Sequence, residues 1–225
     1  PAAIDEVVGL LSRAEKPIMI IGDRLAGANV DAVRLAETAG IPVYGHGSAE
    51  VNFPASHPLW QGNLSVRAPQ AIEAIRSADL ILAIGCTVFD DFFYQPGSVI
   101  GPGTSLVHID SDPGSIGKSE PTDIGILAAP PAVVSQLADA VSEIFTGTRA
   151  EEAALRVREA KAASTARKEA FGRSAAAQRN GAPMSPATMA RALADALPPN
   201  ATVFNDGISA GGTIFEALSP SEQGS

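Results

Sequence analysis

The sequence predicts an α/β protein with a Rossmann-like, doubly wound, mostly parallel sheet of five to six strands flanked by helices. Short apolar runs without polar alternation, such as "PIMIIG" (17–22) and "LILAIG" (80–85), are typical of strands that are buried on both faces. These runs alternate with amphipathic helical segments, which is the order from which parallel sheets are built. Binding sites in such folds lie beyond the carboxyl ends of the strands, so functional residues are expected in the loops that follow them.

The chain begins with a βαβ unit. Apolar residues at helical spacing predict a helix over 3–13, and the buried strand 17–22 follows it. A second helix over roughly 28–39 closes at Gly40 and leads into the strand "IPVYG" (41–45). The crossover between the two parallel strands is expected to be right-handed.

A less regular stretch separates this unit from the rest of the sheet. Residues 46–68 are rich in Gly, Pro, Ser and Asn, and they predict a long loop with one helical turn. The elements expected after it are, in order, helix 69–78, strand 80–85, loop 86–103, strand 105–110, a turn and short helix at 111–118, strand 123–128 and helix 130–145.

The pattern divides the chain into three segments. Residues 1–146 form the Rossmann-like domain. Residues 147–184 form a charged, Ala-rich linker or a solvated helix, because eight of the 16 basic residues and almost no large apolar residue fall within 149–180. Residues 185–225 begin a further α/β unit, in which Ser185 is expected to cap the first helix.

The composition excludes several classes of function. A net charge of −9 and a pI near 4.8 argue against nucleic-acid binding and against attachment to a membrane surface. The single cysteine, Cys86, rules out an internal disulfide or a cluster of cysteines around a metal. One cysteine and no recognisable targeting segment suit a cytoplasmic protein.

Two features of the predicted sheet are candidates for a nucleotide site. Gly22 and Gly27, in "IIGDRLAGAN", lie between a strand and a helix, where glycines either hold a phosphate through backbone N–H groups or allow close packing. Asp110 ends a buried strand, so its carboxylate either accepts hydrogen bonds from a ribose or, with Asp112, caps the next helix. The spacing of the glycines is not that of a dinucleotide or P-loop motif.

An aromatic cluster lies in the loop after the strand 80–85. Phe89, Phe92, Phe93 and Tyr94 are more typical of a packing or interface patch than of a cofactor site. They make assembly through this loop one hypothesis for the chain.

The reactive side chains are few. His46, His57 and His108 are far apart in the sequence, and Cys86 has no histidine beside it. A Cys–His nucleophilic pair is therefore not expected, and no three or four ligands for a metal ion lie close together.

The tail of the chain contains a small polar bend. Residues 200–205 predict a turn and a short apolar strand, after which Asp206, Gly207 and Ser209 precede a short helix. Such a bend either donates hydrogen bonds to a diphosphate or is an ordinary turn between strand and helix.

The order of these pieces resembles a known family. "NFPASHPLWQGNL", "ADLILAIGCTVF", "PGTSLVHIDSDPGSIGK" and "DIGILAAPPAVVSQLADAV" resemble the central domain of thiamine-diphosphate-dependent enzymes, and most closely that of the benzoylformate decarboxylases. "MSPATMARALADALPPNATVFNDGISAGG" resembles the entry into the third, diphosphate-binding domain of that family.

The resemblance implies a fragment of a larger enzyme. Family members have three α/β domains; the first carries a glutamate that activates thiamine diphosphate, and the third carries a Gly-Asp-Gly motif that binds Mg²⁺ and the diphosphate. Neither module is recognisable here. The expected partners are therefore the N- and C-terminal domains of the same enzyme, in a homo-oligomer, and this piece alone is expected to be inactive and to hold no cofactor tightly.

The resemblance also assigns provisional roles to residues. Asp206, Gly207 and Ser209 would contact the diphosphate in the intact enzyme, although Ile208 stands where benzoylformate decarboxylases have a hydroxyl residue. Gly22 and Asp110 would line a vestigial nucleotide pocket.

The alternative is a module that binds ADP or FAD, as the central domain does in relatives such as acetolactate synthase. FAD-binding relatives have Asp-Arg after the phenylalanine of the third-strand loop, whereas this chain has "FDDF" (89–92). The reaction implied for the intact enzyme is decarboxylation or carboligation of a 2-oxo acid.

Overall fold

The structure is a computed structural model, and the residues it describes are 2–46, 53–64, 69–90, 96–179, 181–198, 200–207 and 210–219. Six strands form one sheet, and their bounds are β1 (Pro17–Ile21), β2 (Val43–His46), β3 (Trp60–Leu64), β4 (Leu80–Ile84), β5 (Ser105–Asp110) and β6 (Ile124–Leu127). Every pair of neighbours is parallel, and the order across the sheet is β3-β2-β1-β4-β5-β6. This is the order of a doubly wound fold, so the predicted fold class is confirmed.

Seven α-helices lie within the described residues. They are α1 (Ala2–Leu11), α2 (Asn29–Ala39), α3 (Pro69–Ser77), α4 (Pro130–Ile144), α5 (Thr148–Ala177), α6 (Pro186–Ala196) and α7 (Gly211–Leu218). Gly40 ends α2 in the left-handed conformation, with φ 64°. Ser185 caps α6 by accepting a hydrogen bond from the backbone N–H of Thr188, as the sequence predicts.

The sheet is buried on both faces by different helices. In β1, Met19 and Ile21 join the core beneath α1, α2 and α4, whereas Ile18 and Ile20 join the core beneath α3. Successive side chains of a strand point to opposite faces, so a strand covered on both sides needs an unbroken apolar run. That requirement is why the central strands are recognisable from sequence.

The sequence-based interpretation of residues 46–68 as a loop is wrong for residues 60–64, which form the edge strand β3. Its buried residues Trp60, Gly62 and Leu64 alternate with Gln61 and the exposed Asn63. An edge strand that is only partly covered keeps polar residues at its open positions, so it lacks the continuous apolar run that marks the central strands.

The expected short helix at 111–118 is also absent, because this described stretch forms turns. Pro113, Gly114 and Gly117 interrupt it, and Gly117 has φ 70°. Asp112 therefore caps a turn, not a helix, accepting from the N–H of Gly114 at 3.0 Å and from the hydroxyl of Ser115 at 2.8 Å.

The short strand expected within 200–205 does not form. Val203 and Phe204 are exposed, Phe204 to 93%, and none of the described strands pairs with them. A strand is stable only when neighbouring strands satisfy its backbone groups, which an apolar sequence alone does not provide.

The charged segment 149–180 lies mostly within the 30-residue helix α5. Its buried residues are small: Ala153, Ala160, Ser164 and Ala175. Ala153 packs so closely on Gly40 that a Cβ atom added to Gly40 would overlap the carbonyl oxygen of Ala153. The sequence left open whether this segment is a linker or a solvated helix, and the structure shows the helix. Its small alanine side chains allow the helix to lie against the sheet domain.

Candidate functional site

The carboxyl ends of β1 and β4 meet where the strand order reverses, which is where doubly wound folds bind ligands. Gly22 follows β1 and Gly85 follows β4. A Cβ atom on Gly22 would lie 2.5 Å from Cβ of Cys86, and one on Gly85 would lie 2.7 Å from the backbone nitrogen of Leu25. The two loops are therefore in direct contact, and only glycine fits at these positions.

An ion pair between a partly exposed arginine and a buried carboxylate lies beside these loops. Arg24 lies in a short 3₁₀ turn, Asp23–Leu25, and its backbone N–H donates to the carbonyl of Gly85 at 3.1 Å. Its guanidinium donates to both carboxylate oxygens of Asp110, from Nε and Nη2, at 2.7 Å each. Asp110 is fully buried, and its hydrogen bonds raise the pKa of Arg24.

Three further side chains complete the network. Nη2 of Arg24 also donates to the hydroxyl of Ser115 at 3.0 Å and to Thr87 at 3.5 Å. The hydroxyls of Thr87 and Ser115 are 2.9 Å apart, and Ser115 donates to Asp112. The hydrogen bonds from Ser115 and from the N–H of Gly114 lower the pKa of Asp112.

This geometry places the two predicted nucleotide-site residues together but gives each a partner within the protein. Asp110 accepts from Arg24 and from the N–H of Asp112, at 2.8 Å. The N–H of Gly22 donates to the carbonyl of Ile84 at 3.0 Å. A ribose would therefore have to displace Arg24 in order to bind Asp110.

Sequence reasoning missed Arg24, Thr87 and Ser115. Arg24 could have indicated the ion pair, because it is a cation in the turn after β1. In a doubly wound sheet this turn lies at the same edge as the end of β5, where Asp110 supplies a carboxylate. The pairing of Arg24 with Asp110 spans 86 positions of the chain, so only the sheet order brings the two together.

Cys86 and His108 lie side by side but do not form a nucleophilic pair. Nε2 of His108 is 2.8 Å from the carbonyl oxygen of Cys86, and the thiol lies 3.9 Å from the carbonyl of Ile20. Burial raises the pKa of the Cys86 thiol to about 12 and lowers the pKa of His108. A thiol with that pKa is not a nucleophile at neutral pH.

The other two histidines pair with residues outside this network. His46 lies 3.1 Å from Asp90, and His57 lies 3.1 Å from Glu37. Phe89 is buried in the core beneath α3. Phe92, Phe93 and Tyr94 lie outside the described residues, so the proposed interface patch stays a prediction.

The tail bend is held by a side chain that the sequence analysis did not single out. Asn205 donates from Nδ2 to the carbonyl of Gly211 at 2.9 Å and accepts from the N–H of Gly207 at 3.2 Å. Asp206 and Gly207 are exposed, and Ser209 lies outside the described residues. The bend leads into α7, whose first residues are Gly211 and Gly212, and the N–H of Gly211 donates to the carbonyl of Gly207 at 2.8 Å.

Neither a cluster of metal-ligating side chains nor a membrane-spanning helix occurs within the described residues. No group of three or more His, Cys, Asp or Glu side chains there is arranged to hold a metal ion. None of the helices in the described part of the chain is both long and apolar enough to cross a membrane.

A cavity of about 220 Å³ lies elsewhere, at the amino ends of β1 and β2. Its lining includes Lys16, Tyr44, Arg156 and Glu159. Arg156 already donates to the carbonyls of Ala39 and Gly40, at 2.8 and 3.2 Å, and so serves to cap α2. The cavity is thus remote from the edge of the sheet at which doubly wound folds bind their ligands.

The fold defines a class: a doubly wound α/β domain, in which Arg24 and Asp110 pair near the point where the strand order reverses. Comparison with known proteins identifies the family. Residues 4–137 match the model of the thiamine pyrophosphate enzyme central domain, and the chain belongs to that family. The resemblance inferred from sequence is therefore confirmed.

Curated relatives of two kinds match this chain. Benzoylformate decarboxylase of Pseudomonas aeruginosa is 28% identical over 207 residues, which are 91% of this chain and 35% of that protein. A probable acetolactate synthase large subunit of Methanocaldococcus jannaschii is 32% identical over 130 residues, which are 56% of this chain and 22% of that protein. The chain thus spans about a third or less of the length of these relatives.

Solved structures agree on the fold. A thiamine diphosphate-dependent 4-hydroxybenzoylformate decarboxylase of Rhodococcus jostii matches with a TM-score of 0.72 and 22% identity, over 100% of this chain and 39% of its own. Benzoylformate decarboxylase of Polynucleobacter necessarius matches with a TM-score of 0.75 and 18% identity, over the same shares.

Proposed function

We propose that this chain is the central part of a longer enzyme that depends on thiamine diphosphate and Mg²⁺ and decarboxylates or ligates 2-oxo acids, in the manner of benzoylformate decarboxylase. The observation that carries the proposal is the extent of similarity. The alignment with benzoylformate decarboxylase covers 91% of the chain, whereas that with the acetolactate synthase covers 56%.

Within that enzyme, this chain is the scaffold between two catalytic domains. Thiamine diphosphate, when bound, supplies an electron sink for the carbon that loses CO₂. The bend at Asp206, Gly207 and Ser209 contributes contacts to the diphosphate, while Mg²⁺ and the group that activates the cofactor are held by the other two domains. The chain alone is accordingly inactive and holds no cofactor tightly, and the complete enzyme is a cytoplasmic homo-oligomer.

The nucleotide-binding alternative is disfavoured by the crevice. Arg24 occupies the position at Asp110 that a ribose would need, so we regard the pocket of Gly22 and Asp110 as vestigial. Calorimetric titration of this chain with ADP and FAD tests this: no heat of binding is expected up to millimolar ligand. Binding at micromolar concentration would instead favour an autonomous nucleotide module.

The catalytic proposal is tested on the full-length protein that contains this chain. Release of CO₂ from benzoylformate is measured with and without thiamine diphosphate and Mg²⁺, with pyruvate as the comparison substrate. Turnover of benzoylformate that requires the cofactor supports the proposal. A full-length protein that turns over neither 2-oxo acid in the presence of both cofactors would contradict it.

A further inference from the structure

Three elements meet at the open edge of the sheet: β3, α5 and α7. Arg167, on α5, is at the centre of the contact. Its Nε donates to Oε1 of Glu216 on α7 at 3.1 Å, and its Nη2 donates to the carbonyl of Trp60 on β3 at 3.1 Å. Its Nη1 is 3.4 Å from Oε1 of Gln61. One guanidinium therefore joins the edge strand to the tail helix.

The surroundings keep this guanidinium in place. The side chains of Arg167 and Glu216 are 30% and 20% exposed, so water screens the pair only in part. The ring of Phe215 on α7 lies 6.3 Å from that of Trp60. Gln61 on β3 also donates to the carbonyl of Ala160 on α5, at 3.2 Å. The polar contact is thus backed by aromatic packing and by a second bond between strand and helix.

The position of α7 determines the position of the bend that precedes it. Asn205 binds the carbonyl of Gly211, the first residue of α7, and also the N–H of Gly207 in the bend. The N–H of Gly211 donates to the carbonyl of Gly207 at 2.8 Å. A continuous set of contacts therefore runs from Arg167 through α7 to the bend.

We propose that Arg167 is a positioning residue: it fixes α7 on the edge of the sheet and thereby sets the position of Asp206 and Gly207, which in the proposed enzyme face the diphosphate. The inference rests on the proposed function for the identity of the ligand, but not for the positioning itself. Arginine suits the role because its planar fork donates in three directions at once, to Glu216, Trp60 and Gln61. A lysine ammonium is a single point charge on a flexible stem, so it would keep the charge pair with Glu216 but not all three contacts.

The positioning is tested by amide hydrogen exchange on this chain. In Arg167→Met, which keeps the apolar stem, the amides of Gly211–Leu218 are expected to exchange about tenfold faster while those of α4 are unchanged. The matched control is Arg173→Met, on the same helix, because Arg173 is 70% exposed and pairs with Glu169 one turn away. Unchanged exchange in α7, or equal acceleration in α4, would overturn a local positioning role.

The link to the diphosphate is tested on the full-length protein with thiamine diphosphate and Mg²⁺ as the probe. Arg167→Met is expected to weaken cofactor affinity about tenfold, to leave kcat at saturating cofactor near that of the wild type, and to be partly rescued in Arg167→Lys. Arg173→Met should bind as the wild type does. Unchanged affinity in Arg167→Met overturns the link. Failure of the wild type to bind the cofactor counts against the proposed function, and hydrogen exchange still decides the positioning.

Discussion

Arg24 and Asp110 decide at the scale of single residues what the crevice between β1 and β4 can hold. A bidentate guanidinium donates to both carboxylate oxygens of Asp110, so a ligand would compete with Arg24 for them. The pair also links the turn that holds Arg24 to the end of β5, where Asp110 is fully buried. A carboxylate in that position needs a cation beside it, whether or not the crevice ever binds a nucleotide.

Removing the cation is therefore expected to cost stability. Arg24→Ala leaves a buried carboxylate unpaired and should lower the free energy of unfolding by about 2 kcal/mol. This loss is smaller than that expected for a fully buried pair, because Arg24 is partly exposed to water. Urea denaturation followed by circular dichroism measures the change. The control is Arg158→Ala on the exposed side of α5, expected to stay within about 0.5 kcal/mol of the wild type. Equal stability of Arg24→Ala and wild type would show that the pair is not structural.

His108 makes stability depend on pH. Burial lowers its pKa in the folded protein, so between that value and the unfolded value of about 6.5 the unfolded chain binds more protons. Its contribution is complete above about pH 6.5 and is lost as the pH falls from there toward the folded pKa, with a slope of at most about 1.4 kcal/mol per pH unit.

The measurement is the free energy of unfolding between pH 5 and pH 7.5. His108→Gln keeps an N–H donor for the carbonyl of Cys86 but does not titrate, so its stability curve should be flatter than that of the wild type over this interval. Parallel curves for the two proteins would mean that His108 does not contribute to the pH dependence.

At the scale of elements, α5 shows how a polar helix can pack on a sheet domain without large apolar side chains. Its buried positions are alanine and serine, which let the helix backbone approach Gly40 at the end of α2. Arg156 and Arg167 then bind carbonyl oxygens of α2 and β3. The charged residues that make this segment resemble a linker thus include Arg156 and Arg167, which bind it to the sheet domain.

The close approach of α2 and α5 has a testable consequence at Gly40. Gly40→Ala should lower the free energy of unfolding by about 2–4 kcal/mol, because alanine is strained at φ 64° and its Cβ would overlap the backbone of Ala153. Gly27→Ala is the matched control: its φ is 90°, but nothing lies within 4 Å, so only the conformational cost of about 1–2 kcal/mol applies. Both are measured by urea denaturation. Equal losses would mean that α5 moves away freely.

At the scale of the whole molecule, the chain matches the fold of 39% of the length of two solved decarboxylase structures. We expect the purified chain to release no CO₂ from benzoylformate, with thiamine diphosphate and Mg²⁺ present, and to give no calorimetric signal with that cofactor. The physical reason is that catalysis needs the activating and metal-binding groups, which we assign to the flanking domains. Cofactor-dependent turnover by the chain alone would refute this division of roles.

Much of this molecule follows from local pattern. The buried strands β1, β4 and β5 are recognisable from the sequence because both faces of a central strand must be apolar. Gly40 marks a helix end because glycine readily adopts the left-handed conformation, and Ser185 marks another because its hydroxyl accepts a hydrogen bond from a free helix N–H. Edge strand β3 is not visible in the same way, since half of it faces away from the core. The tail segment 200–205 shows the converse, an apolar run that forms no strand without a neighbour.

The sequence by itself therefore determined the α/β class, the approximate bounds of the central elements and the edge of the sheet where Gly22 and Asp110 lie. Only the tertiary structure decided that Arg24 occupies the crevice, that α5 is packed on the sheet domain and that Arg167 joins β3 to α7. The physical reason is range: strand and helix signals depend on neighbours a few residues away. The pairs Arg24–Asp110 and Arg167–Trp60 lie 86 and 107 positions apart and exist only once the chain has folded.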